Sequence, residues 1–207
     1  MLTSVALALA AAASAAVPVL VLQHRAAAPT VPVFAGSTVL YSVPVSGGVP
    51  KPVRRLEGQW YFPAATPDGG SLLFERPYAS HTEVWRVPLG HGDPTLLGTM
   101  QMFTAPPQPG PNVASLSRVH GRTRLTMRAS GGIVIWRWNG LSLHATDPQA
   151  SPDGSSAVIM TEKGIELVDA YGTRFLTHGT ALVDPAFSAD GTTVYMVGVN
   201  AATSIPK

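Results

Sequence analysis

The sequence predicts an all-β repeat protein, and three observations predict it. A short turn signature recurs as "ATPDGGSLLF" from Ala65, "ASPDGSSAVIM" from Ala150 and "FSADGTTVYM" from Phe187. Each copy runs straight into apolar and β-branched residues, the composition of a strand. Finally, 20 Gly and 19 Pro punctuate the 207 residues without forming a low-complexity tract, so strands are short and turns frequent.

Taken in order, the chain opens with "MLTSVALALAAAASAAVPVLVLQHR", which carries no charge from Leu2 to Leu22. A run of that length suits a secretory signal or a membrane span, and Ala13-Ser14-Ala15 offers a small-residue cleavage site. No Lys or Arg precedes it, unlike the usual signal, so retention as an anchor through residues 2–22 stays open beside removal. Residues 1–25 are therefore expected to form an apolar helix that exports the chain or anchors it, giving an extracytoplasmic location. Residues 26–35, rich in Ala and Pro, read as a linker, residues 36–200 as the repeat domain and residues 201–207 as a tail.

Within the domain, residues 157–177 and 124–146 follow one plan of three β-prone runs separated by Gly-containing turns. Residues 72–98 repeat it with a longer first turn. The piece from 38 to 56 matches only the second half: Tyr41 corresponds to Trp85, Pro44 to Pro88 and Gly48 to Gly92. The C-terminal "AFSADGTTVYMVGVN" matches only the first half. Turn positions at Asp68, His120, Asp153 and Asp190 are separated by 52, 33 and 37 residues, the first being lengthened by the Pro-rich stretch between Thr99 and Asn112. Periods of ~40 residues with about four strands each describe propeller blades. The expectation is a small β-propeller of about four blades whose ring is closed by N- and C-terminal half-blades.

Local chemistry explains the signature. Pro67 and Pro152 preset φ at the first central position of a tight turn. Asp68, Asp153 and Asp190 bond back to nearby backbone, and Gly69, Gly154 and Gly191 accept a positive φ. On these residues, with Pro63, Pro148 and Pro185 ahead of them and "EVWRVP", "IELVD" and "RFLT" behind, the chain resembles the TolB-like, or WD-repeat-like, β-propeller repeat family. The resemblance covers residues 36–200 and implies a fold more than a function. Such propellers serve as scaffolds, in periplasmic translocation proteins and beside hydrolase domains. Ala189 replaces the usual proline, and "SRVHG" at 117–121 lacks both Pro and Asp. The domain boundaries expected here leave no room within these 207 residues for the separate N-terminal domain that accompanies the TolB propeller.

Composition narrows the functional classes. With no cysteine, disulfides, thiolate metal sites and cysteine nucleophiles are excluded. A formal charge of +2 implies no polyanion partner by itself. There is no Gly-x-Ser-x-Gly elbow and no His-x-x-x-His pair, and His81, His91 and His120 fall in expected turns, solvent-exposed. Single turn aspartates do not make a calcium loop, which needs several oxygen donors in succession. No catalytic, cofactor-binding or metal-binding residue is assigned.

Arg118, Arg122, Arg124, Arg128 and Arg137 cluster near Trp136 and Trp138. They read first as a solvated outer strand whose stems cover apolar surface, and second as a reader of anionic surfaces. Trp85, Trp136 and Trp138 are expected to pack between blades. The stretch with Pro106, Pro107, Pro109 and Pro111 is the candidate partner loop, being long and partly stiffened. The function this supports is a non-enzymatic scaffold for a protein partner in the cell envelope, without nucleic acid. Two rivals are a lactonase- or hydrolase-like propeller enzyme with a central-channel site and a truncated propeller without independent function.

Overall fold

The computed structural model describes residues 36–78, 80–100 and 111–200. The expected apolar helix, linker and tail lie outside them, as do Pro106, Pro107 and Pro109. Fifteen strands follow one another: β1 (Ser37–Pro44), β2 (Lys51–Glu57), β3 (Tyr61–Ala65), β4 (Ser71–Pro77), β5 (Thr82–Pro88), β6 (Thr95–Met100), β7 (Val113–Val119), β8 (Arg122–Arg128), β9 (Val134–Leu141), β10 (Thr146–Ala150), β11 (Ser156–Thr161), β12 (Gly164–Asp169), β13 (Thr173–His178), β14 (Leu182–Phe187) and β15 (Thr193–Asn200). One 3₁₀ turn at Ser130–Gly132 is the single helical element among the described residues.

The strands form four antiparallel sheets, in the orders β14-β15-β1-β2, β3-β4-β5-β6, β7-β8-β9 and β10-β11-β12-β13. This all-β arrangement is consistent with a propeller-like fold. The first and last strands share one sheet, with Val43 opposite Val194 and Pro44 opposite Thr193. The two half-repeats thus complete each other. One expected strand is missing: the third run of the β7–β9 repeat, after Leu141, makes a turn instead, with Ala145 N–H donating to the Ser142 carbonyl at 3.2 Å. That sheet has three strands because residues 142–145 are spent turning the chain toward β10.

Period-two alternation distributes side chains between neighbouring sheets. On β11, Val158 enters the cluster shared with the terminal sheet, while Ala157 and Ile159 enter the cluster shared with β7–β9. On β15, Val194 and Met196 face the β10–β13 sheet and Val197 faces the β3–β6 sheet. Strands buried on both faces need near-continuous apolar runs, and "AVIM" and "VYMV" supply them. Each fully buried Ile, Leu or Phe contributes about 1.5–3 kcal/mol.

The three apolar clusters join β3–β6 to the terminal sheet, the terminal sheet to β10–β13, and β10–β13 to β7–β9. Among the described residues no fourth cluster joins β7–β9 back to β3–β6. The junctions therefore form an arc of three. Outer strands are built differently: β2, "KPVRRLE", is mostly exposed, and its charges and Pro52 protect an unpaired edge.

Candidate functional site

The repeated turns share one hydrogen-bond scheme. Between β10 and β11, Ser151 Oγ donates to Asp153 Oδ1 at 2.6 Å, and Ser156 N–H donates back to Ser151 Oγ at 3.0 Å. Asp153 Oδ1 also accepts Ser155 N–H at 3.0 Å, and Gly154 N–H reaches the Ser151 carbonyl at 3.0 Å. Thr66 with Asp68, and Ser188 with Asp190, repeat these contacts at 2.5 Å each. Gly69, Gly154 and Gly191 hold φ of 67°, 73° and 72°, the left-handed conformation that glycine adopts without strain. The hydroxyl donors, first among the causes, hold all three aspartates below the usual carboxylate range.

These turns also form part of the junctions. A Cβ on Gly191 would sit 3.3 Å from Pro152 Cδ, and one on Gly69 would sit 3.7 Å from Ala189 Cβ. Ala189 stands where the other copies have proline, against the neighbouring turn. A pocket of about 430 Å³ opens between these two turns, with Asp68, Asp190 and Tyr195 on its wall.

The β7–β8 connection is different. His120 and Gly121 hold φ of 49° and 74°, so two left-handed residues make a tight hairpin turn without Pro or Asp. Its sheet grips the neighbouring signature instead: Asn112 Nδ2 donates to the Pro152 carbonyl and Trp136 Nε1 to the Gly154 carbonyl, both at 2.8 Å. Pro111, from the candidate partner loop, is exposed just ahead of Asn112. Trp85 packs at the junction of β3–β6 with the terminal sheet, and Trp136 and Trp138 at the junction of β7–β9 with β10–β13.

The arginine cluster lies only in part on outer strands. Arg122, Arg124 and Arg128 are on β8, the middle strand of its sheet, whereas Arg118 is on β7 and Arg137 on β9, the two edge strands. Leu125 and Met127 point into the junction with β10–β13, so alternation turns Arg122, Arg124 and Arg128 to the opposite face. Register adds Arg137, opposite Thr126, to that face. Arg118 lies apart from them and donates to the Leu143 carbonyl at 3.0 Å. From Val113 to Ala145 there is no Asp or Glu, and no ion pair engages these arginines among the described residues.

A second repeated feature escaped the sequence reading. Phe62, Asp147 and Asp184, each directly before Pro63, Pro148 or Pro185, hold φ of 49°, 49° and 50°. The ladders shift register at the same places on β3, β10 and β14. A left-handed residue before proline is sterically disfavoured, and only "x-Pro" four residues ahead of each turn pointed toward it. Asp184 Oδ2 accepts Phe62 N–H at 3.2 Å across a junction. Burial pushes its carboxyl up to about 6, opposed by that bond and raised further by Asp147. Glu75, on β4, is 2 % exposed with neither carboxyl oxygen bonded, and burial, then Asp184, raises it to about 7. Among the described residues no group of three His, Cys, Asp or Glu is placed to hold a metal.

His81 departs from the expected exposed loop residue. It is half-buried, stacked on Tyr78 with ring centroids 4.9 Å apart, and its Nε2 lies 3.8 Å from Glu83. His91 and His120 are exposed.

No protein-family model and no curated protein matches the chain. Among solved structures it is similar to the crystal structure of TolB from Acinetobacter baumannii, at 18% identity and a TM-score of 0.33. The likeness covers 75% of this chain and 45% of that one, so the chain spans less than half of that structure's length.

Proposed function

We propose that the chain is a small four-bladed propeller acting as an extracytoplasmic, non-enzymatic scaffold, and that the β7–β9 sheet receives an acidic protein partner. The observation that carries this reading is the acid-free sheet with Arg122, Arg124, Arg128 and Arg137 on one face. Its opposite face is fully used in the junction with β10–β13, which leaves the arginine face for recognition. Uncompensated like charges on one rigid sheet steer an acidic surface and set its orientation. The Pro106, Pro107, Pro109 and Pro111 stretch, which leads into β7, is proposed as an accessory contact. Export rests on the uncharged run of residues 2–22; no helix among the described residues is long and apolar enough to cross a membrane.

The test is capture from an envelope fraction by the full chain, compared with Arg124→Gln/Arg128→Gln. Loss of an acidic partner at unchanged melting temperature, with capture that weakens as salt rises, supports the reading. Capture that ignores both substitution and salt refutes it.

One observation favours a second reading. Glu75 and Asp184, raised to about 7 and about 6, have the proton affinity of general acids. A propeller enzyme would use such a pair in its channel. Glu75, however, is almost wholly covered, and substrate would have to open the junction to meet it. Turnover lost in Glu75→Gln, found by screening ester and lactone substrates, would establish the enzyme.

A further inference from the structure

A second pocket of about 430 Å³ lies at the junction of the terminal and β3–β6 sheets, with Arg54, Arg55, Trp60, Arg76, Trp85 and Pro94 on its walls. The state of Arg76 sets it apart. Its Nε is buried without a hydrogen-bond partner, and the residue makes no ion pair among the described residues. Its cross-strand neighbour is Glu83, the position from which a carboxylate would normally pair with it. Glu83 is engaged elsewhere: Trp85 Nε1 donates to its Oε2 at 2.8 Å, and His81 lies 3.8 Å from its Oε1.

The guanidinium is nevertheless held in place. Its Cζ lies 5.3 Å from the Trp60 ring centroid and 5.7 Å from that of Tyr78. Beneath it is Gly58, where a Cβ would come within 2.7 Å of Arg76 Nη2, so any larger residue would displace the group. Arg54 is not available in the same way, because it clamps the Pro88 and Gly92 carbonyls at 2.8 and 2.6 Å. Glu57 and Asp93 also line the pocket and nearly balance its arginines, which disfavours a polyanion. The indole of Trp85, half-buried on the wall, offers an apolar surface beside the cation.

We propose that this pocket binds a single carboxylate carried on a flat apolar body, with Arg76 as the carboxylate-binding residue and Trp85 as the platform. The planar fork of an arginine matches a carboxylate in two parallel hydrogen bonds, and a buried donor without an acceptor gains most from meeting one. The carboxylate has two sources: a free aromatic acid, or the C-terminus of a protein that ends in an aromatic residue.

Tryptophan fluorescence of the full chain, titrated with benzoate, with its neutral isostere benzamide, and with N-acetyl-Ala-Phe as free acid or amide, tests the proposal. Saturable binding of at least one acid, with the matching amide weaker by about tenfold or more, is expected. Arg76→Gln is expected to abolish it, and Arg76→Lys to restore it only in part. Tighter binding of the peptide acid points to a protein terminus, and tighter benzoate to a free metabolite. Equal binding of acids and amides, saturation by neither acid, or undiminished binding to Arg76→Gln overturns the proposal. Should Arg76→Gln not fold, the acid-to-amide ratio on the unaltered protein decides alone.

Discussion

The β10–β13 and β7–β9 sheets descend from one repeat plan and meet different physical demands. In β10–β13 both faces are buried, so β11 and β12 carry apolar residues at nearly every position. Its first hairpin is fixed by the Ser151–Asp153 hydroxyl–carboxylate bond. In β7–β9 one face is buried and the other carries arginines, the hairpin has a two-residue turn, and the fourth strand is gone. Packing on both sides is not what preserves the repeat signature, since among the described residues β3–β6 also meets one neighbour only and keeps both its Thr66–Asp68 turn and its four strands. A sheet released from one junction is free to become a surface.

The strongest way to break this contrast is to cut the core on one side only. Ile159→Ala, at a wholly buried position, is expected to cost about 2–5 kcal/mol in urea unfolding. Ile133→Ala in the β8–β9 connection, where the side chain is 70% exposed, should fall within about 0.5 kcal/mol of the unaltered protein. A smaller effect sharpens the turn comparison. Ser151→Ala removes the donor to Asp153 and the acceptor for Ser156, and should cost about 1–2 kcal/mol. His120→Asn should be nearly neutral, since asparagine tolerates the left-handed conformation that this turn needs.

The junction between β3–β6 and the terminal sheet adds a pH test. Glu75 and Asp184 have folded-state values raised from 4.5 to about 7 and from 3.8 to about 6. The native state then binds more protons than the unfolded chain through that window, so stability falls as pH rises from about 4 to about 7. Burial is the first cause for both groups, and the charge of Asp184 adds to the rise at Glu75. Melting temperature should be higher at pH 5 than at pH 8, and Glu75→Gln should flatten the slope. A melting curve that rises over this range would refute the buried pair. Arg124→Gln/Arg128→Gln should likewise stay within about 0.5 kcal/mol, because among the described residues neither side chain is in an ion pair and their hydrogen bonds, to Asn139 Oδ1 and the Gly132 carbonyl, are exposed.

Much of the fold was legible because its determinants are local. The Pro-Asp-Gly tips and the strands behind them follow from turn chemistry, and the half-repeats at the two ends follow from counting. Other features depend on neighbours. Thr66, Ser151 and Ser188 read as ordinary turn residues, though each both donates to its aspartate and accepts a backbone N–H. The left-handed Phe62, Asp147 and Asp184 are hidden because proline argues against that conformation. Glu75 was invisible as a buried acid because alternation along "SLLFERP" does not say which face a neighbouring sheet will cover. Among the described residues the Nε of Arg76 has no hydrogen-bond partner, since Glu83, one strand away, is bonded to Trp85. The lost strand after Leu141 shows the same limit, since "LSLHAT" has strand composition and turns nonetheless.

The pairing of Val43 with Val194 has a consequence for biogenesis. A strand near the beginning of the domain waits for one near its end, so β15 must be synthesised before β1 gains its second neighbour. Until then β1 presents a bare edge to other nascent copies.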